Sequence, residues 1–122
     1  MRQIMKQSLI ILTAAIATTA HAYTGKVDKY LAEKPVSGEY HSTLSADDLN
    51  TCLVSQLTDG IPPSVTKGSD GVTVAMTNYS YLGAIVRGTA TYQPDATGFK
   101  IITRGKLVQS RVQKCTGDLG SK

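Results

Sequence analysis

The stretch SADDLNTCLVSQLTDG, Ser45 to Gly60, reads as one amphipathic helix, and the rest of the chain is read outward from it. Ser45 is an N-cap whose hydroxyl can accept from the open N–H groups of the first turn. Asp48 stands at the partner position of a capping box, and Leu44 and Leu49 occupy the two positions of a hydrophobic staple. Asp47 and Asp48 place negative charge at the positive end of the helix dipole. Leu49, Cys52, Leu53 and Leu57 then follow at spacings of three and four, so one side is buried. Gly60 and Pro62-Pro63 end the element, which gives a helix over about 45–59.

Cys52 sits in the middle of that apolar face, and Cys115 is the only other cysteine. Two cysteines in a short exported chain are expected to pair, and no C-x-x-C redox spacing is present. A Cys52–Cys115 bridge would tie the helix to the end of the chain.

Export is itself a reading of the first residues. Arg2 and Lys6 form a positive n-region, Leu9 to Ala17 a short apolar stretch, and Ala20-His21-Ala22 an A-x-A cleavage site. Residues 1–22 are therefore a cleaved signal peptide, and the mature chain begins at Tyr23. MKQSLIILTAAIATTAHA, from Met5, is already a complete signal. The apolar run falls short of the ~20 residues needed to span a bilayer, so no integral membrane span remains after cleavage. The expected location is periplasmic or secreted. Cleavage removes two basic residues and no acidic one, lowering the net charge from +4 to +2, and a nucleic-acid-binding role loses its motivation.

Residues 23–44 read as an N-terminal arm and an edge strand. Val27, Tyr30 and Leu31 have helical spacing, so Tyr23 to Lys34 is either a short helix or a loose arm, broken by Pro35. Val36, Gly38, Tyr40 and Ser42 alternate with polar neighbours into a strand. After Pro63 the period is two. Ser64 to Lys67 and Val72 to Thr77 are strands around the Gly68-Ser69-Asp70-Gly71 turn, and Asn78-Tyr79-Ser80 is read as the next turn. Leu82 to Tyr92 is a longer strand with bulges or strong twist at Gly83 and Gly88. Pro94 to Gly98 is a turn and Phe99 to Thr103 the last strand. From Lys106 to Thr116, period two would put Cys115 with Arg111 and Gln113. Period 3.6 aligns Val108, Val112 and Cys115, and this second reading is adopted, with Gly117 as the C-cap. The sum is an α+β fold. Helices over about 45–59 and 106–116 pack on one face of a 3–5 stranded antiparallel sheet, with residues 45–117 as the stapled core and 118–122 as a flexible tail.

Functional chemistry is sparse. His41 is the only histidine of the mature chain, too few ligands for a zinc site, and no cofactor or metal is implied. An enzyme would need His41 as a general base beside a serine that no nucleophile elbow frames; no catalytic residue is assigned. Asp47 and Asp48 point apart from one helical turn and suit its dipole better than acid–base catalysis. Lys100, Arg104, Lys106, Arg111 and Lys114 are five basic residues with no acidic one from Phe99 to Cys115. They form either a patch for an acidic partner, an anionic glycan or lipid headgroups, or a solvated helix face plus a lysine-protected strand edge; the second is favoured. Tyr79 and Tyr81 flank the turn and either form a recognition surface or cap the core. Asn78-Tyr79-Ser80 also matches a glycosylation sequon.

The order of signal peptide, helix carrying CLVSQL, glycine-punctuated strands and terminal RVQKC resembles small exported proteobacterial proteins of unknown function. The resemblance implies a small antiparallel sheet with one cysteine on a leading helix and one on a closing segment, and an exported location. The expected role is a non-catalytic binding or accessory module for a protein or envelope polymer. The alternative is an inhibitor, immunity or exclusion factor that occludes an exported enzyme or receptor.

Overall fold

The structure, a computed structural model, describes residues 25–81 and 83–117. The signal peptide expected over 1–22 and the tail expected over 118–122 lie outside the described residues. Residues 25–33 form helix α1. There follow β1 (Gly38–Ser42), α2 (Ala46–Gln56), β2 (Ser64–Gly68), β3 (Gly71–Ser80), β4 (Gly83–Pro94), β5 (Phe99–Arg104) and α3 (Lys106–Val112), then a 3-10 turn at Gln113–Cys115. The strands make one antiparallel sheet in the order β1-β5-β4-β3-β2. This is the expected α+β fold, with β1 as the edge strand read from its alternation.

The Ser45 hydroxyl accepts from the Asp48 N–H at 3.2 Å, as the cap requires. Leu49, Leu53 and Leu57 are fully buried. The helix stops at Gln56, short of the expected 59, with Leu57 as its C-cap. Gly60 does adopt a positive φ of 80°, but in the loop beyond. Thr58 explains part of the early stop, because its hydroxyl donates back to the Val54 carbonyl at 2.8 Å and so competes with continuation.

Alternation along the strands sorts the sheet into two faces. Val74, Met76, Ala90, Tyr92 and Ile101 meet the leucines of α2 and Val108 and Val112 of α3 in one core. Tyr92 crosses Phe99 edge to face, ring centroids 5.6 Å apart, and donates from its hydroxyl to Asn50 Oδ1 at 3.1 Å. Burial holds the Tyr92 phenol above its ordinary pKa, helped by the Asp47 charge. Cys52 and Cys115 are joined, S–S 2.06 Å, so the bridge pins α2 to the closing turn on this same face. Ser42 on the edge strand donates to the Cys115 carbonyl at 2.7 Å, and the Thr43 N–H to that of Thr116 at 2.9 Å. The closing turn is thereby laced to β1.

The opposite face carries Thr73, Ala75, Thr89 and Thr91, buried although small or polar. Thr73 and Thr91, cross-strand partners, hydrogen-bond at 2.8 Å. What buries this face is α1, settling the choice between helix and loose arm. Val27 is buried, and Asp28, Leu31 and Ala32 face Thr91, Gln93, Ile102 and Arg104 across a cleft of about 450 Å³. The sheet is thus a middle layer, with α2 and α3 on one side and α1 on the other. No helix among the described residues is long and apolar enough to cross a membrane.

A second expectation is corrected besides the end of α2. Asn78-Tyr79-Ser80 is not a turn but the end of β3, paired with Ile85, Ala84 and Gly83. Asn78 uses its turn-forming side chain elsewhere, donating from Nδ2 to Asp59 Oδ2 at 3.1 Å. The reversal falls after Ser80, with Tyr81 on it.

Candidate functional site

β3 and β4 outrun their neighbours. They pair with each other from Val72–Tyr92 to Ser80–Gly83. β2 accompanies β3 only as far as Ala75, and β5 accompanies β4 only from Thr89. Among the described residues, no strand flanks the rest, so residues 76–80 and 83–88 form a two-stranded ribbon beyond the five-stranded sheet. A bulge marks its root. Met76 pairs with Gly88 and Thr77 with Val86, leaving Arg87 as the extra residue, which raises local twist. Asp59, from the loop after α2, braces this root through Asn78 and through Arg87, whose Nη1 lies 3.7 Å away.

The ribbon tip is apolar and exposed. Tyr81 is fully exposed, Tyr79 is 61% exposed and Ile85 39%. Their exposure shows that neither tyrosine is buried as a cap over the core. Beside the tip lies α1: Lys26 Nζ donates to the Ala84 carbonyl at 2.7 Å. Lys26, Lys29 and Lys34, with Glu33, border a shallow groove against Ala84, Ile85 and Val86. The sequence signal for this placement was weak, since nothing local says that an N-terminal lysine-rich helix lies beside a hairpin strand 58 residues later.

The C-terminal basic residues are not brought together. Alternation puts Lys100 and Arg104 on the α1 face, whereas Lys106, Arg111 and Lys114 belong to the layer on the other side. Lys100 pairs with Glu39 at 3.1 Å, both exposed, and Arg104 Nε donates to the Lys34 carbonyl at 3.0 Å. Arg111 donates to the Gln56 and Thr58 carbonyls. Lys106 and Lys114 are exposed.

His41 has partners that its local sequence did not disclose. Its Nε2 lies 2.9 Å from Thr97 Oγ1 and 3.2 Å from Asp95 Oδ1. In a Ser-His-Asp relay, carboxylate and hydroxyl engage opposite ring nitrogens, which lets the ring pass a proton between them. Here one nitrogen serves both, and the contacts stitch β1 to the β4–β5 turn. At Asp95, desolvation is the largest influence and pushes the carboxyl up. Hydrogen bonds from the Thr97 N–H and the His41 ring, the His41 charge and the Gly98 backbone outweigh it, so the net shift is downward. No group of three or more His, Cys, Asp or Glu side chains among the described residues could hold a metal ion. The amide nitrogen of the Asn78 sequon is engaged with Asp59 and partly buried.

Compared with protein-family models, with curated proteins and with solved structures, the chain matches none.

Proposed function

We propose that this protein is a non-catalytic, exported binding module of the cell envelope whose contact element is the β3–β4 ribbon. The observation that carries the reading is the exposed Tyr79–Tyr81 tip at the end of a ribbon braced by Asp59. Exposed tyrosines on a braced element are costly to leave in water and inexpensive to order in a contact, because each has few rotatable bonds. The export half of the proposal rests on the signal-like residues 1–22 and is supported by the Cys52–Cys115 bridge, since such bonds persist in oxidising compartments.

The test uses the mature, oxidised protein carrying a fluorescent label, incubated with washed envelope fractions of the producing cells. Retention is expected for the native chain and is expected to fall in Tyr79→Ser/Tyr81→Ser, with circular dichroism unchanged. Equal retention of the two proteins, or none of either, would overturn the reading.

A further inference from the structure

We infer that the surface on which the ribbon tip docks is an anionic lipid bilayer; this rests on the reading of the tip as the contact element. Size is the first argument. A stable protein interface buries ~1,200–2,000 Å² in all, and the end of a ribbon two strands wide, ~4.8 Å between strands, offers far less. Entry into a bilayer interface asks for much less: a few apolar or aromatic side chains at the front and cations behind them. Tyr79, Tyr81 and Ile85 supply the front, and tyrosine is at home at headgroup depth, where the ring is dehydrated and the hydroxyl stays wet.

Charge is the second. Lys26 and Lys29 on α1 stand beside the tip, exposed, and Lys34, just past the helix, borders the far end of the same groove with Glu33 as its acidic residue. Arg87 and Asp59 offset each other. Asp28 lines the cleft toward the sheet face instead. The tip therefore carries a lysine collar that complements an anionic leaflet, where each lysine adds an attraction that salt screens. No span is needed, and the contact is peripheral and reversible.

The experiment sediments the mature, oxidised protein with vesicles of phosphatidylglycerol and phosphatidylethanolamine, and separately with vesicles of phosphatidylcholine alone. Binding is expected to the anionic vesicles and to weaken as salt is raised. Tyr79→Ser/Tyr81→Ser and Lys26→Gln/Lys29→Gln should each bind roughly tenfold or more weakly. Lys106→Gln/Lys114→Gln removes the same charge from the far layer and should bind as the native chain does. Absence of anionic-vesicle binding, or an equal loss in the far-layer variant, would overturn the lipid proposal. Should vesicles fail while envelope fractions still retain the native chain and release the tyrosine variant, the partner is a protein and only this inference falls. If envelope retention is also insensitive to the tyrosines, the reading of the tip falls too.

Discussion

Arg111 on α3 closes the end of α2 that its own sequence leaves open, donating from Nη1 to the Gln56 carbonyl at 3.1 Å and to that of Thr58 at 3.2 Å. The last turn of α2 carries no basic residue, so the cation that its dipole favours arrives from another helix. A residue that the sequence offered either to a basic patch or to a solvated helix face has a structural task.

Arg111→Ala should therefore destabilise the domain by about 1–2 kcal/mol, the usual effect of losing charge-assisted hydrogen bonds to backbone carbonyls. Arg111→Lys should recover part of that, because an ammonium on a flexible stem replaces a planar fork poorly. Urea unfolding followed by circular dichroism measures both. Lys114→Ala, on an exposed side chain nearby, should change the midpoint little.

The Cys52–Cys115 bridge spans 63 residues of sequence. On the chain-entropy account, closing a loop of that length stabilises by about 4 kcal/mol, a large part of what a small domain has. Cys52→Ala/Cys115→Ala should lower the urea midpoint accordingly. Intact mass with and without reductant reports the bond itself, and alkylation of both thiols in the native oxidised protein would contradict it.

Gly88 leaves room on β4 for Val108 of α3. A Cβ there would overlap Val108 Cγ2 and stand 3.0 Å from the Arg104 carbonyl. Gly88→Ala should cost about 1–3 kcal/mol by overpacking. Val108→Ala removes the obstructing methyl, so the double variant should be less destabilised than the sum of the two singles, a coupling that a double-mutant cycle reads directly.

Acid sensitivity should centre on the β4–β5 turn. The Asp95 carboxyl is held below its ordinary value, so its contribution is present above the unfolded pKa of about 3.9 and is lost as pH falls through the lower folded value. Asp95→Asn should flatten the acid limb of a stability-against-pH curve below about pH 4, because it loses the same small contribution at neutral pH and nothing at the acid end. Tyr92 has the opposite sense. Its phenol is raised, so its contribution is full below about pH 10 and declines as pH rises through the folded value, and Tyr92→Phe should remove that decline.

What was legible follows from where the information sits. The capped helix at Ser45, its leucines and the strand alternation of Val72 to Met76 depend on residues a few positions apart, and each is found as read. The Asn78 to Ser80 segment misled because Asn and Ser favour turns locally, whereas the β3–β4 ladder and Asp59 decide their conformation. Whether Lys100 and Arg111 share a patch stayed open in the sequence, because sequence proximity says nothing about which side of a sheet a later helix covers.

Sequence alone thus determined the capped helix at Ser45, most of the strands after Pro63, the pairing of the only two cysteines and the layer that α2 and α3 share, since periodicity and cysteine count are local or global sums. Tertiary structure decided the rest: that α1 covers the threonine face, that Arg111 ends α2, and that two strands outrun their neighbours with tyrosines at the tip. These are set by register and by which face each connection crosses to. Both are properties of contacts between distant residues, which no short window of the chain contains.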